Sequence, residues 1–256
     1  MNDNAAVLSE RRERVLLITI NRPDQRNAVN AAVAQGIAGA LDELDSDAGL
    51  SVGVLTGAGK GFCAGMDLKA FVAGERPHVE GRGFAGIVER PPVKPLIAAV
   101  EGFAVAGGLV VALACDLIVA SRGARLGIPE VKRSLVAAGG ALLRLPRVLP
   151  RNVAMELALT GEPILAERGY ELGLVSRVSE PGEAVARALE LAEAIAVNAP
   201  LALAASKRIL TESPDWPDDE FFARQREIAD PVTRSEDARE GATAFAEKRE
   251  PVWKGR

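Results

Sequence analysis

A glycine-containing turn between an apolar strand and an apolar helix is the feature that most constrains the fold. Leu96–Val100 is short and strongly apolar, as expected of a buried strand, and Glu101–Asp116 (E-G-F-A-V-A-G-G-L-V-V-A-L-A-C-D) follows it. Its glycines permit a tight turn, and Leu109–Cys115 then predicts a buried helix. Such a turn leaves backbone N–H groups free, which suits an oxygen that becomes anionic during a reaction. The backbone can come closest to a ligand at Gly107.

The composition favours one large core and excludes several classes of partner. The chain has 256 residues, of which 48% are hydrophobic, so it can form one core or a core with a smaller appendage. The net charge is −4 and no long basic run occurs, so we expect no nucleic-acid partner. The N-terminal residues do not resemble a secretory signal, and the apolar runs are too short to span a membrane. We expect a cytoplasmic protein without a membrane partner.

Cysteine and histidine are too scarce to indicate a redox or metal centre. Cys63 and Cys115 form no C-x-x-C pair and are expected to be reduced core residues. His78 is the only histidine, so a metal site would need carboxylates almost alone, and none cluster suitably in the sequence. We therefore expect no metal and no cofactor.

Short strands alternate with helices up to about residue 180, which predicts an α/β fold. Strands are predicted at Val15–Ile20, Val52–Thr56, Leu96–Val100, Leu117–Ala120, Arg125–Gly127 and Leu174–Val178. Helices are predicted at Asn27–Asp45, with Asn30 as N-cap, and at 109–115, 141–148, 151–159, 163–171, 182–197, 200–212, 218–229 and 235–248. Residues 70–92 contain four glycines and are interpreted as a surface excursion.

The chain after residue 182 is predicted to be entirely helical, with breaks at prolines that include Pro200 and Pro231. Aromatic residues such as Phe222 and Phe245 lie on otherwise charged helices. They predict that this part docks on the rest of the chain or on a neighbouring subunit. We therefore divide the chain into a core, residues 1–197, and a helical C-terminal oligomerisation region, residues 198–256.

Two local matches to known motifs fail. The loop T-G-A-G-K-G at residues 56–61 is not a Walker A motif, because Gly61 follows Lys60 where serine or threonine is required. It is not a dinucleotide fingerprint either, because Phe62 occupies the place of the last glycine. The G-x-S-x-G match around Ser51 lacks the strand that precedes a nucleophile elbow, and its only base would be His78. Nucleotide binding and serine hydrolysis are therefore not expected.

Two glycine-containing turns favour a third interpretation when they are taken as a pair. The first, F-C-A-G-M-D-L-K at residues 62–69, ends at a helix start where the N–H of Met66 would be exposed. The second offers the N–H of Gly107. Two such donors aimed at one oxygen form an oxyanion hole, which stabilises a carbonyl that gains negative charge. The alternative is that both are tight turns of an α/β core.

Several blocks of sequence, in the same order, carry a resemblance to a known superfamily. They are N-R-P-x-x-x-N-A from residue 21, F-C-A-G-M-D-L-K, P-L-I-A-A-V-E-G-F-A-V-A-G-G, G-I-P-E and the closing A-F-A-E-K-R. Together they resemble the crotonase (enoyl-CoA hydratase/isomerase) superfamily over essentially the whole chain. The resemblance implies a spiral of ββα units with a C-terminal all-helical region, assembled as a homotrimer or a dimer of trimers. It also implies acyl-CoA thioester substrates and no metal or redox cofactor.

The resemblance also implies roles for individual residues. Met66 and Gly107 would form the oxyanion hole, in agreement with the reading of the two turns, and Glu130 would be the catalytic acid/base. The substrate-binding positions implied by the resemblance are Arg26, Ala28, Ala64, Asp67, Leu68, Lys69, Gly108 and Val110.

The chain departs from the hydratase pattern at Val110. Hydratases of the superfamily use two glutamates, of which the second maps onto Glu130 and the first onto Val110. Glu101 lies before the turn and is not expected to point the same way. One missing general acid or base typically costs about 10²–10⁴-fold in rate. Valine also desolvates the pocket, so a raised pKa is expected for Glu130.

Three functions follow from this departure. One glutamate beside an oxyanion hole suffices to move a double bond, so isomerase-type proton transfer is one prediction. A hydratase weakened by Val110 is supported equally well. The third is an oligomer that binds CoA esters with little chemistry.

Overall fold

The computed structural model describes residues 5–256, which form short strands and helices in alternation. The strands are β1 (Val7–Arg12), β2 (Val15–Ile20), β3 (Val52–Gly57), β4 (His78–Val79), β5 (Gly83–Phe84), β6 (Leu96–Val100), β7 (Phe103–Val105), β8 (Leu117–Ser121), β9 (Arg125–Gly127), β10 (Ile164–Leu165) and β11 (Arg177–Ser179). The α-helices are α1 (Ala31–Ser46), α2 (Leu68–Val72), α3 (Gly107–Ala112), α4 (Ala141–Val148), α5 (Arg151–Thr160), α6 (Ala166–Glu171), α7 (Ala184–Ala196), α8 (Pro200–Glu212), α9 (Phe221–Thr233) and α10 (Glu236–Glu247). Short 3-10 helices lie at Pro23–Gln25, Pro129–Arg133 and Ser213–Asp215.

Two sheets form the core. The larger sheet has the order β1-β2-β3-β6-β8-β11, in which β1 and β2 are antiparallel and the other neighbours are parallel. The smaller sheet has the order β10-β9-β7. The chain passes from the larger sheet to the smaller one between β6 and β7, and again between β8 and β9. The predicted α/β class is confirmed.

Both faces of the larger sheet are covered, which explains why its strands are apolar at almost every position. On β2, Leu16, Ile18 and Ile20 belong to the principal core, which also contains the apolar face of α1. Val15 and Leu17 point to the opposite face and pack with the alanines of α7. A strand buried on both faces gives the uninterrupted apolar run seen in the sequence.

The turn from β6 to β7 fixes the direction of the chain before the second glycine turn. Gly102 has a φ of 54°, and a side chain there would overlap the carbonyl oxygen of Lys60. Phe62 N donates to the Glu101 carbonyl oxygen at 3.0 Å. The Glu101 carboxylate accepts a hydrogen bond from Ala184 N at 2.9 Å, at the start of α7. This carboxylate therefore serves a helix end and does not replace the glutamate absent at position 110.

The interpretation of residues 70–92 as a surface excursion holds for residues 71–76, which are exposed, and is wrong for residues 82–88, which are buried. The segment contains the β4–β5 hairpin, and Phe84, Ala85 and Ile87 are buried. Gly86 packs directly on α1, because a side chain there would overlap the Ala34 carbonyl oxygen. Gly86 therefore allows this part of the segment to pack closely on the core, whereas Gly74 and Gly81 face open space.

Two further differences concern an edge strand and a proline. Strand β1 was not predicted, because its residues V-L-S-E-R-R lack an apolar pattern. Its charged half is exposed at the edge of the sheet. The predicted helix break at Pro231 is also wrong, since α9 continues to Thr233. Pro231 lies in the last turn, where one lost hydrogen bond interrupts little of the helix.

The C-terminal helices are attached to the core mainly at α8. Lys207 Nζ lies 2.7 Å from an Asp116 carboxylate oxygen and donates to the carbonyl oxygens of Pro92 at 2.7 Å and Lys94 at 2.9 Å. Asp116 also accepts from Leu96 N at 2.7 Å, so the ion pair reaches β6. The division near residue 197 falls in the turn between α7 and α8, and the oligomerisation role of the helices after it stays a prediction.

Within residues 5–256, no single helix is long and apolar enough to cross a membrane. Two consecutive helical segments, Ala184–Ala196 and Pro200–Asp215, are long and apolar enough only when they are taken together, and the chain bends by 109° between them. The first member of the pair packs on the larger sheet, with Ala188 and Ala192 fully buried.

Asn27 links the loop after β3 to the turn before α1. Its side chain is buried, and its Oδ1 accepts from Arg22 N at 3.0 Å. Its Nδ2 donates to the carbonyl oxygens of Ala58 at 2.9 Å and Gly61 at 2.7 Å. Asn27 has a φ of 55°, which asparagine tolerates better than most residues. One side chain therefore fixes two backbone segments that meet beside the first glycine turn.

Asn27→Ala should lower the free energy of unfolding by about 3 kcal/mol, because it leaves buried backbone groups without partners. Urea unfolding at one fixed protein concentration measures this change. The control is Asn30→Ala, which removes the N-cap bond to Val33 N and should cost about 1 kcal/mol. An equal loss in both variants would contradict the role given to Asn27.

Candidate active site

The first glycine turn, residues 63–67, is held by backbone bonds to Val29. Val29 N donates to the Gly65 carbonyl oxygen at 2.8 Å, and the Val29 carbonyl oxygen accepts from Asp67 N at 2.9 Å. Met66 lies between these two bonds, and its own N–H has no acceptor among residues 5–256. That N–H is available to a ligand.

The second turn is built on a strained residue. Ala106 has φ 52° and ψ −131°, a combination that residues with a side chain rarely adopt. Its N–H donates to the Gly127 carbonyl oxygen at 2.9 Å. Its carbonyl oxygen accepts from Leu109 N at 3.0 Å and Val110 N at 3.2 Å. The N–H of Gly107, the next residue, has no acceptor in the described part of the chain.

The two turns touch through their backbones. A Cβ atom at Gly65 would lie 2.8 Å from the Gly107 nitrogen, and one at Gly107 would lie 3.2 Å from the Gly65 Cα. A Cβ atom at Gly108 would overlap the carbonyl oxygen of Cys63. Met66 N is the next backbone nitrogen after Gly65, so the free N–H groups of Met66 and Gly107 are neighbours. Two adjacent free donors are the elements of an oxyanion hole.

Glu130 lies on the 3-10 helix Pro129–Arg133, directly after β9. The bond between Ala106 N and the Gly127 carbonyl oxygen brings this helix to the second turn. Glu130 Oε2 is buried and has no hydrogen-bond partner among the described residues. Burial raises the pKa of the Glu130 carboxyl, and its own N–H and the charge of Arg133 only partly offset the rise. A buried carboxylate oxygen without a partner is typical of a catalytic group.

Val110 contributes an apolar wall one helical turn after Gly107. Its side chain is buried, and a Cβ atom at Gly139 would lie 2.9 Å from its Cγ1. Gly139 belongs to the loop that follows the helix bearing Glu130, so this loop folds over α3. The structure thus places an alkyl group, not a carboxylate, on this side of the site.

Asp67 has a structural role. Its Oδ1 accepts from Lys69 N at 3.1 Å and Ala70 N at 3.2 Å, which caps α2, and its Oδ2 accepts from Arg22 Nη1 at 3.0 Å. Burial alone would raise the pKa of Asp67, but the bonds from Ala70 and the Arg22 guanidinium hold it below its usual value. These contacts give the Asp67 carboxylate partners within the protein. Its predicted contact with substrate stays a prediction.

The other predicted substrate-binding residues lie on two segments that meet beside Met66. Ala64 N donates to the Arg26 carbonyl oxygen at 3.1 Å, which joins residues 26–29 to residues 63–69. Arg26, Leu68 and Lys69 are exposed, while Ala28 and Ala64 are half-buried. The structure brings these residues together on one surface, and their roles stay predictions.

Sequence reasoning missed three residues that shape the site: Arg22, Asn27 and Phe84. Arg22 and Asn27 lie in the N-R-P-x-x-x-N-A block, which marked them only through a resemblance. Phe84 lies against Gly107, and no pattern in the sequence connects the two positions. Its segment was instead interpreted as surface.

Other parts of the molecule offer weaker candidates. Two open clefts lie in the C-terminal helices, of about 430 Å³ between α8 and α9 and about 490 Å³ at α10. Their charged side chains pair with one another, as Arg208 does with Glu212 and Arg249 with Glu240. Among residues 5–256, no group of three or more histidine, cysteine, aspartate or glutamate side chains could hold a metal ion. The junction of the two glycine turns is therefore the stronger candidate.

Comparison with known proteins gives one consistent result. A sequence model of the family described as enoyl-CoA hydratase/isomerase matches residues 10–256. The chain belongs to the enoyl-CoA hydratase/isomerase family. The enoyl-CoA hydratase EchA19 of Mycobacterium tuberculosis is 42% identical over 97% of this chain and 96% of its own length. The carnitinyl-CoA dehydratase of Salmonella enteritidis is 41% identical over 94% of this chain and 95% of its own length.

Solved structures confirm the crotonase fold that the resemblance implied. An enoyl-CoA hydratase from Mycobacterium tuberculosis H37Rv superposes with a TM-score of 0.97 and 61% identity, over 99% of this chain and 100% of that chain. A carnitinyl-CoA hydratase from Mycobacterium avium gives a TM-score of 0.79 and 47% identity, again over 99% and 100%. Members of the enoyl-CoA hydratase/isomerase family are enzymes that act on acyl-CoA thioesters.

Proposed function

We propose that this member of the enoyl-CoA hydratase/isomerase family stabilises a thioester enolate between the N–H groups of Met66 and Gly107, with Glu130 as its only acid/base. One observation carries the proposal. Two free backbone donors are neighbours on touching turns, and the adjacent segment bears a buried carboxylate oxygen without a partner. Donors fixed in this way need no rearrangement when charge develops on the thioester oxygen.

Double-bond isomerisation is a reaction that needs only the two N–H donors and the Glu130 carboxylate. The Glu130 carboxylate takes a proton from C2 of a 3-enoyl-CoA, and the electron pair of the C–H bond moves toward the thioester oxygen. Met66 and Gly107 donate to that oxygen, and a donor of this kind contributes about 2.7–4 kcal/mol. Glu130 then returns the proton at C4, which gives the 2-enoyl-CoA and restores the carboxylate. The raised pKa of Glu130 suits a group that both takes and returns a proton.

A weakened hydratase is the second candidate, favoured by relatives that are named enoyl-CoA hydratase. Hydration requires that water loses a proton as it attacks C3, while C2 gains one. Val110 offers no carboxylate to orient that water, so Glu130 would have to serve both steps. Binding of CoA esters with little turnover is the third candidate.

We also propose a homotrimer or a dimer of trimers. The C-terminal helices leave Leu210, Phe222 and Phe245 exposed, which supports docking on a neighbouring subunit. Light scattering should give a mass three or six times 26.9 kDa. A mass of one chain would contradict this assembly.

Glu130→Gln should reduce conversion of a 3-enoyl-CoA by about 10²–10⁴-fold, because the amide cannot accept the C2 proton. In the unmodified enzyme, kcat/KM should fall as the pH decreases through the raised pKa of Glu130, since the base becomes protonated there. This acid limb should be absent from the residual activity of the variant. The absorbance of the conjugated 2-enoyl thioester follows the reaction.

The same assay separates the three candidates. An isomerase gains conjugated absorbance from a 3-enoyl-CoA, and a hydratase loses it from a 2-enoyl-CoA. Thermal stabilisation by CoA esters with turnover of neither indicates binding alone. Glu101→Gln is the matched control, because that carboxylate accepts a bond from Ala184 N and should leave the acid limb in place. An unchanged rate in Glu130→Gln would refute the assigned role.

Val110→Glu should increase hydration of a 2-enoyl-CoA by about tenfold or more, because it restores a second acid/base. The glutamine in Val110→Gln has about the size of glutamate but carries no charge, so this variant should show no increase in hydration. Thermal unfolding first establishes that both variants fold, since the new side chain meets the loop at Gly139. A folded Val110→Glu enzyme without added hydration would mean that pocket geometry, rather than the missing carboxylate, limits the reaction.

A further inference from the structure

The ring of Phe84 lies against the second glycine turn. A Cβ atom at Gly107 would be 2.7 Å from Phe84 Cζ and 2.8 Å from Cε1. The ring therefore fills the space of a side chain at Gly107, next to the free N–H of that residue. Only 7% of Phe84 is exposed, so this contact lies inside the molecule.

The backbone around Phe84 is fixed. His78 and Phe84 are paired between β4 and β5, and their rings meet edge to face at 5.8 Å. Ala85 N donates to the Pro77 carbonyl oxygen at 2.9 Å. Gly86 then packs on the backbone of α1 so closely that no side chain fits between them. The ring is consequently presented by a short hairpin with little freedom.

Two arginines anchor the same segment, Arg82 from within it and Arg144 from α4. Arg82 is buried, pairs with Asp42 of α1 and donates to the Arg90 carbonyl oxygen at 2.9 Å. Arg144 Nη2 donates to the Val88 carbonyl oxygen at 2.7 Å. Displacement of the Phe84 ring would therefore require a segment held at both ends to move.

The bond from Arg144 also joins the segment of Phe84 to one half of the site. Arg144 belongs to α4, which follows the loop containing Gly139, and that loop covers Val110. The segment of Phe84 is thus joined to the side of the site that contains Val110. The predicted CoA-binding surface, residues 26–29 and 63–69, belongs to the first turn instead. A thioester whose CoA part occupied that surface would extend its acyl part toward Phe84.

We propose that Phe84 is a specificity-determining residue that excludes acyl groups branched at C2. The inference rests on the proposed function, since it requires the thioester oxygen at Met66 and Gly107. With that oxygen about 2.9 Å from the Gly107 nitrogen, C2 lies next to a rigid ring that cannot yield to a methyl branch. One methyl or methylene group in an apolar pocket changes discrimination by about 10–200-fold.

Binding of two isomeric saturated CoA esters, butanoyl-CoA and 2-methylpropanoyl-CoA, tests the inference without turnover. The two acyl groups have the same atoms and differ only in the branch at C2. Titration calorimetry should show that the unmodified enzyme binds the unbranched ester at least about tenfold more tightly. Phe84→Leu keeps an apolar side chain in the core and should reduce this ratio severalfold, and Phe84→Ala should reduce it further.

Phe103→Leu is the matched control, because the Phe103 ring lies against Gly61, whereas the atoms nearest to a Cβ at Gly107 belong to Phe84 and Gly65. It should leave the ratio unchanged, even if the protein is less stable. The role of Phe84 would be overturned if the unmodified enzyme bound both esters equally well. It would also be overturned if the affinity ratio of Phe84→Leu equalled that of the unmodified enzyme. Either result would leave the proposed function standing. Failure of the unbranched ester, butanoyl-CoA, to bind the unmodified enzyme would overturn the proposed function and this inference with it.

Discussion

Contact between the backbones of Gly65 and Gly107 is the constraint on which the site depends. Neither position has room for a side chain, and Gly65 has a φ of 95° that also favours glycine. Any larger residue would separate the two turns, so the N–H groups of Met66 and Gly107 would no longer be neighbours.

The fold holds each turn from outside the site. Cys63 pairs with Ala104 of β7, and Met66 pairs with Val29 before α1, so the first turn lies between two backbone neighbours. The second turn is held because Ala106, in a strained conformation, is bonded to the end of β9. The supports from β7 and β9 come from the step between the larger and the smaller sheet, whereas Val29 precedes α1. The same step that defines the architecture therefore also orients the donors.

Local sequence patterns predicted many of the helices and strands, whereas contacts between distant parts of the chain were not predicted. The strands β2, β3 and β6 and the N-cap Asn30 were predicted because each has its signal within a few residues. Both glycine turns were located for the same reason. The partners of Asn27 and Phe84 lie far along the chain, at Gly61 and Gly107, and glycine carries no side-chain pattern that names its neighbour. The edge strand β1 was not predicted because its pairing with β2, rather than an apolar pattern, defines it.

Val110 and Gly139 act together on the chemistry proposed for Glu130. The valine side chain occupies the space that a side chain at Gly139 would need, so the loop packs directly on it. Burial is the main cause of the raised pKa of Glu130. On the proposed mechanism, an alkyl group at position 110 would give a water molecule no carboxylate to orient it, and the raised pKa would suit Glu130 to carry a proton. On this reasoning the packing around position 110, more than the presence of Glu130, decides between hydration and isomerisation.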